Sequence, residues 1–161
     1  MVRKLTHFVD GRHVEGASGR FGDVYNPATG EVAAQVPLAS RDEVSKAVAV
    51  AQKAFPGWAA ITPLQRSRVM FRFKALMEAN IDRMAELVTA EHGKVLNDAK
   101  GSITRGIEVV EFACGIPQLL KGEFSENVGT NVDSWAIRQP LGVVAGITPF
   151  NFPAMVGMWM F

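Results

Sequence analysis

The sequence predicts an α/β protein, and three observations carry that prediction. Two turn signals between short apolar segments fall before residue 33. Helical stripes with capping signals then run from Ser40 to Gly115. Finally, Leu141 to Ile147 forms a short, partly β-branched apolar run bounded by Pro140 and Pro149, the pattern of a parallel strand buried on both faces. In open α/β sheets, ligands bind just past the carboxyl end of such a strand. Asn151 stands at that position, between Phe150 and Phe152 and flanked by Pro149 and Pro153. A βαβ unit also needs a crossover helix and a second strand. Neither is complete by Phe161, so the α/β fold is expected to be incomplete.

The elements follow in order. Phe8-Val-Asp-Gly-Arg-His-Val14 places an Asp-Gly pair between short apolar strands, a strong hairpin signal. Val24-Tyr-Asn-Pro-Ala-Thr-Gly-Glu-Val32 reads as a second turn between strands. Turn chemistry alone accounts for both. Ser40-Arg-Asp-Glu43 is a capping box that opens a helix with Val44, Ala47, Val48, Ala51 and Phe55 at helical spacing, and Pro56-Gly57 is expected to stop it. Thr62-Pro-Leu-Gln65 opens a second helix with Pro63 at its first position and Met70, Phe73, Leu76 and Met77 as the buried face. A third starts at Asn80, turns Ile81, Met84, Leu87 and Val88 inward, and ends at Gly93. A fourth, about Asn97 to Gly115, puts Ile103, Ile107, Val110 and Cys114 on one face and Arg105, Glu108 and Phe112 on the other. Thr130 to Arg138 reads as an exposed strand whose Trp135 and Ile137 share a side and need a partner surface. Phe152 to Phe161 is apolar all round, so as a helix it must be buried, yet nothing follows to cover it.

Composition bounds the function. The chain has 161 residues, 48% of them hydrophobic, which is enough for a real core in one domain or a large part of one. The net charge of +1 arises from 17 basic and 16 acidic residues without long runs of either sign, so neither nucleic acid nor a membrane is the expected partner. One cysteine excludes a disulfide framework and fits a reducing, cytoplasmic setting. Met1-Val-Arg-Lys-Leu5 is basic but leads into no apolar segment of the kind a signal peptide carries.

Few residues carry chemistry. Cys114 is either a nucleophile or a small core residue. Its place on the Ile103/Ile107/Val110 stripe, with no cation on its own face to lower its pKa, favours the core. His7, His13 and His92 lack metal-ligand spacing. No GxGxxG, Walker or G-x-S-x-G pattern occurs. Arg105, beside Phe112 on the outer face of its helix, either lines a pocket or is merely solvated. Asn151 is either a helix N-cap or an oxyanion donor at the mouth of a site, and its Pro-Phe-Asn-Phe-Pro setting favours the donor.

Ile147-Thr-Pro-Phe-Asn-Phe-Pro153 resembles the Pro-(Trp/Phe)-Asn-Phe-Pro motif of the aldehyde dehydrogenase superfamily. The likeness extends along the chain through Val24-Tyr-Asn-Pro-Ala-Thr-Gly-Glu31, Glu91-His-Gly-Lys94 and Gln139-Pro-Leu-Gly-Val-Val144. Phe150 in place of Trp, and Arg105-Gly-Ile-Glu-Val-Val-Glu-Phe-Ala113, are similar to the CoA-acylating methylmalonate-semialdehyde dehydrogenase branch. The resemblance implies roughly the first third of a larger α/β enzyme. Residues 1–129 would belong to its NAD-binding domain, 130–140 would form an oligomerisation strand, and 141–161 would supply the first Rossmann-like strand and the start of the next helix.

The resemblance also implies roles. Ile147, Thr148, Pro149 and Phe150 would line an NAD cleft, and Asn151 would hold the oxyanion. Arg105 would clamp the substrate carboxylate, for which a bidentate guanidinium is suited. In such enzymes a downstream Cys attacks a malonate or methylmalonate semialdehyde, hydride passes to NAD, and coenzyme A takes the acyl group as CO2 leaves. Cys114 precedes Asn151 and cannot be that nucleophile. The downstream base and ribose-binding residues are absent, and Gly157 stands where this branch has Pro. The chain alone is therefore expected to be inactive, with weak or no NAD binding. The full-length form is expected to be a homo-oligomer, a dimer of dimers, in the bacterial cytoplasm or, in a eukaryote, the mitochondrial matrix. The alternatives are a non-acylating aldehyde dehydrogenase and a non-catalytic chain that docks through Thr130–Arg138.

Overall fold

The computed structural model describes residues 2–161; Met1, the first residue of the basic N-terminal stretch, lies outside them. In chain order the elements are β1 (Arg3–Lys4), β2 (His7–Val9), β3 (Arg12–Val14), β4 (Phe21–Tyr25), β5 (Val32–Pro37), α1 (Arg41–Ala60), α2 (Pro63–Ala79), α3 (Ile81–His92), α4 (Leu96–Cys114), α5 (Ile116–Leu119), β6 (Phe124–Gly129), β7 (Val132–Trp135) and α6 (Met155–Met158).

Both predicted turns form. β2 and β3 pair antiparallel, with His7 opposite Val14 and Val9 opposite Arg12. Asp10 and Gly11 take φ +57° and +71° at the turn, as the primed hairpin turn demands. β4 and β5 pair across the Asn26–Gly30 turn. There the Asn26 side chain accepts from the Ala28 N–H at 2.9 Å, and the Gly30 N–H donates to the Asn26 carbonyl at 2.8 Å. β1, unanticipated from the sequence, adds a parallel edge to β5, giving the order β1-β5-β4. Two residues of strand are too few to show a periodicity.

The helices supply the core. α4 packs against α2, α3 and α6, and its buried stripe is the expected one: Ile103, Ile107, Val110 and Cys114. Met77, Ala85, Val88, Ala99 and Met158 complete the cluster, with Met70, Phe73, Ile81 and Met84 packed against it. Capping boxes form at Ser40/Glu43 and Thr62/Gln65, and Gly93 closes α3 in the left-handed region.

Several expectations are corrected. Pro56-Gly57 does not end α1, which continues to Ala60 with Pro56 inside it. Proline's φ is helical, and one lost hydrogen bond need not terminate a helix. The stop comes at Ile61 and Thr62, both extended ahead of Pro63, as the residue before proline prefers. Leu76 and Leu87, expected inside, are 65% and 57% exposed. Each precedes a buried residue, Met77 or Val88, and so lies about 100° away around its helix.

The expected strand over Leu141–Ile147 is irregular backbone, with Leu141 94% and Ile147 92% exposed. A parallel strand exists only through hydrogen bonds to a neighbour. Among the described residues, no strand pairs with this segment. The Thr130–Arg138 strand shortens to β7, which pairs with β6 in a hairpin exposed on both faces. The apolar terminal segment forms only the short α6, and α4 covers it: Met155 and Met158 are buried. No helix among the described residues is long and apolar enough to cross a membrane.

Candidate functional site

Three loops meet around the Pro149–Pro153 segment, and glycines let them approach. Gly93, between α3 and α4, holds φ +84°, and a Cβ there would stand 3.1 Å from Pro27 of the β4–β5 turn. Gly106 on α4 faces α6, where a Cβ would stand 3.2 Å from the Met155 Cα. The Asn26–Gly30 turn, the Glu91–Lys94 connection and the segment leading into α6 are thus gathered around one end of the α3–α4 pair.

The two rings that flank Asn151 each meet a side chain at the C-terminal end of α3 or just beyond it. His92 stacks on Phe150 with centroids 6.4 Å apart and planes inclined by 12°. Lys94 sets its ammonium 4.4 Å from the centre of the Phe152 ring, inside the range in which a cation is attracted to a ring face. The Lys94 side chain is only 8% exposed. Its Nζ lies 3.3 Å from Asp98 Oδ2 and donates to Ser102 Oγ at 3.4 Å. Ser102, itself buried, donates in turn to the Asp98 carbonyl at 2.9 Å.

Asn151 between the rings is exposed and lies outside any helix. The alternative that it caps the following helix does not hold. α6 begins four residues later, with Ala154 at the N-cap position and no side-chain capping bond.

The residues expected to line a cofactor cleft divide. Thr148 lines a cleft of about 620 Å³ with Val144, Gly146, Gly157, Met160 and Phe161, and its methyl would lie 3.8 Å from a Cβ on Gly157. Ile147 and Phe150, 85% exposed in the latter case, face outward, and Pro149 is half-buried. The cleft contains one hydroxyl, that of Thr148, and two glycines whose open sides are covered, Gly146 by the Met160 side chain and Gly157 by Thr148. It contains no charged side chain to hold a ribose or a pyrophosphate.

Arg105 is exposed on the outer face of α4 with Glu108 and Phe112, and it lines none of the principal clefts. The side facing it is open in this chain. Cys114 sits in the core, where burial pushes its thiol above the usual range despite the nearby Lys74 cation. That environment suppresses the thiolate a nucleophile requires. Sequence reasoning missed the contacts of His92 and Lys94. The Glu91–Lys94 motif was visible, but no local pattern shows which ring its side chains will meet.

The sequence profile of the aldehyde dehydrogenase family matches residues 13–161. The chain belongs to the aldehyde dehydrogenase family. It is 52% identical over 157 residues to a malonate-semialdehyde dehydrogenase of Pseudomonas aeruginosa, covering 98% of this chain and 31% of that protein. It is 48% identical over 161 residues to the mitochondrial acylating methylmalonate-semialdehyde dehydrogenase of Arabidopsis thaliana, covering 100% of this chain and 26% of that one. Among solved structures, a protein of Sinorhizobium meliloti 1021 described as a methylmalonate-semialdehyde dehydrogenase, complexed with NAD, superposes with a TM-score of 0.95 at 51% identity. That match covers 99% of this chain and 32% of the other. This aldehyde dehydrogenase chain thus spans about a third of the length of the relatives it matches, and its α/β elements correspond to their N-terminal part.

Proposed function

We propose that this chain supplies the N-terminal part of an NAD-dependent, CoA-acylating dehydrogenase that converts malonate or methylmalonate semialdehyde to acetyl-CoA or propionyl-CoA with loss of CO2. The observation that carries the reading is Asn151: an exposed side-chain amide, not spent on a helix cap, between Phe152 beside the Lys94 ammonium and Phe150 stacked on His92. Such a donor suits an oxygen that becomes negative during reaction, because an exposed amide N–H can meet the charge as it develops. NAD, when bound, accepts the hydride. Thr148 is proposed to meet it with a hydroxyl from within the cleft, and Ile147, Pro149 and Phe150 from the adjoining surface, Phe150 with an exposed ring face. Arg105 is the proposed clamp for the substrate carboxylate. Its exposure leaves all of its donors available, and a fork-shaped guanidinium matches two carboxylate oxygens.

Two further elements of the reading concern assembly and completeness. The β6–β7 hairpin, with Phe124, Val132 and Trp135 exposed, is the proposed oligomerisation surface. The nucleophile and the base lie outside these 161 residues, so the chain by itself is inactive and binds NAD weakly or not at all. The test is steady-state kinetics of a full-length enzyme carrying this segment. Asn151→Ala is expected to lower turnover by about 10²–10³-fold, and an unchanged rate refutes its role. Arg105→Ala is expected to abolish the preference for methylmalonate semialdehyde over acetaldehyde. Turnover without coenzyme A would replace the acylating reading with a hydrolytic one.

A further inference from the structure

The contacts around Asn151 have a feature that its proposed role leaves unused. Both of its ring neighbours are met by the same three residues, the last of α3 and the two that follow it. His92 takes Phe150 and Lys94 takes Phe152, with Gly93 between them held at φ +84° against Pro27. Lys94 is the more anchored of the two. Its nearly buried ammonium is fixed by Asp98 and Ser102, both on the first turns of α4. α4 also carries the helical core, so Lys94 ties Phe152 to the helix around which that core is packed.

We propose that Lys94 is a positioning residue for Asn151. The Glu91–Lys94 connection clamps the rings on either side of Asn151, and Lys94 acts through Phe152 to hold the amide where a developing oxyanion needs it. The inference rests on the reading of Asn151 as the oxyanion donor. The physical basis is preorganisation: a donor stabilises charge only if its supporting groups hold it before the charge appears. A cation over a ring face, desolvated on its other sides, resists sliding of that ring. A lysine in this place is therefore expected to affect the reaction without touching substrate or cofactor.

A double-mutant cycle in the full-length enzyme tests this, with kcat and KM measured for wild type, Lys94→Met, Asn151→Ala and the pair. Methionine keeps the length and apolar stem but removes the cation. Lys94→Met is expected to lower kcat by about 10- to 100-fold, the size of effect that misplacement of a reacting group produces, with little change in the KM for NAD. In the Asn151→Ala background the same change is expected to cost almost nothing, because its target is gone. Lys94→Arg, which keeps a cation over the ring, is expected to restore most of the rate.

Losses that multiply in the double variant, or a Lys94→Met enzyme as active as wild type beside a crippled Asn151→Ala, overturn the clamp and leave the Asn151 reading standing. An Asn151→Ala enzyme of wild-type activity overturns the Asn151 reading, and the clamp with it. If Lys94→Met fails to fold, Phe152→Leu, which removes the ring but keeps an apolar side chain, carries the same cycle with the same outcomes.

Discussion

Gly106 and Gly101 lie on the same helix and make opposite predictions for the same substitution. Alanine at either position gains helix propensity of about 1 kcal/mol over glycine. At Gly101 a Cβ meets nothing within 4 Å, so the gain is expected in full. At Gly106 it would stand 2.5 Å from the Met158 sulfur and 3.2 Å from the Met155 Cα. The sulfur ends a flexible side chain and can swing aside. The Cα is backbone, and ordinary carbon contacts begin near ~3.5 Å, so α6 must retreat. Overpacking of this kind costs about 1–3 kcal/mol. Because the propensity gain cancels between the two variants, Gly106→Ala should be less stable than Gly101→Ala by about 1–3 kcal/mol. At roughly 3 °C per kcal/mol for a chain of this size, that is about 3–9 °C in Tm. Thermal and urea unfolding of the two variants side by side give the comparison. Equal stabilisation by both would mean that α6 does not rest on Gly106, and the placement of the Asn151 segment against α4 would be refuted.

Two other predictions concern the caps and turns that hold the site's surroundings. Glu43 accepts hydrogen bonds from the Ala17 N–H at 2.6 Å and the Ser40 N–H at 2.8 Å, and these bonds hold its carboxyl down at about 2. A carboxylate depressed in the folded state stabilises above its unfolded value. The stability gap between wild type and Glu43→Gln should therefore be full near neutral pH and should close as pH falls from about 4.5 toward about 2; a gap independent of pH in acid titrations of unfolding would refute it. Gly93→Ala should lose about 1–2 kcal/mol from left-handed backbone strain, and more if Pro27, 3.1 Å from the new Cβ, cannot yield. A denaturation midpoint equal to wild type would show that Gly93 is not held in that conformation.

What the sequence disclosed and what it withheld follow from the range of the forces involved. The Asp10-Gly11 turn, the Ser40/Glu43 and Thr62/Gln65 boxes and the Gly93 stop are satisfied within four residues, and each forms as the local chemistry requires. The Ile103–Cys114 stripe is set by helix periodicity, and it is the core. The readings that failed depend on a second surface. Leu76 and Leu87 satisfy an apolar pattern, but how far around a helix the neighbour reaches is decided by the neighbour. The Leu141–Ile147 run has the composition of a doubly buried strand, but composition supplies no hydrogen-bonding partner, and none of the described strands offers one.

The candidate site divides along the same line. Asn151 was legible because an amide between two aromatic-proline pairs is chemically conspicuous. The support beneath it was not, because a contact between Lys94 and Phe152 spans 58 residues and leaves no periodicity in the sequence. Arg105 is the reverse case: legible through the Arg105–Ala113 motif, yet open to solvent in the structure. A guanidinium on an exposed helical face has no geometry of its own that selects a carboxylate. Its proposed specificity must come from a wall facing α4 that these 161 residues do not supply. By contrast, the rings on either side of Asn151 meet side chains of this chain, Phe152 against Lys94 and Phe150 against His92. The two proposed roles therefore differ in kind: the neighbours of Asn151 have partners within the chain, whereas the Arg105 guanidinium stands open to solvent.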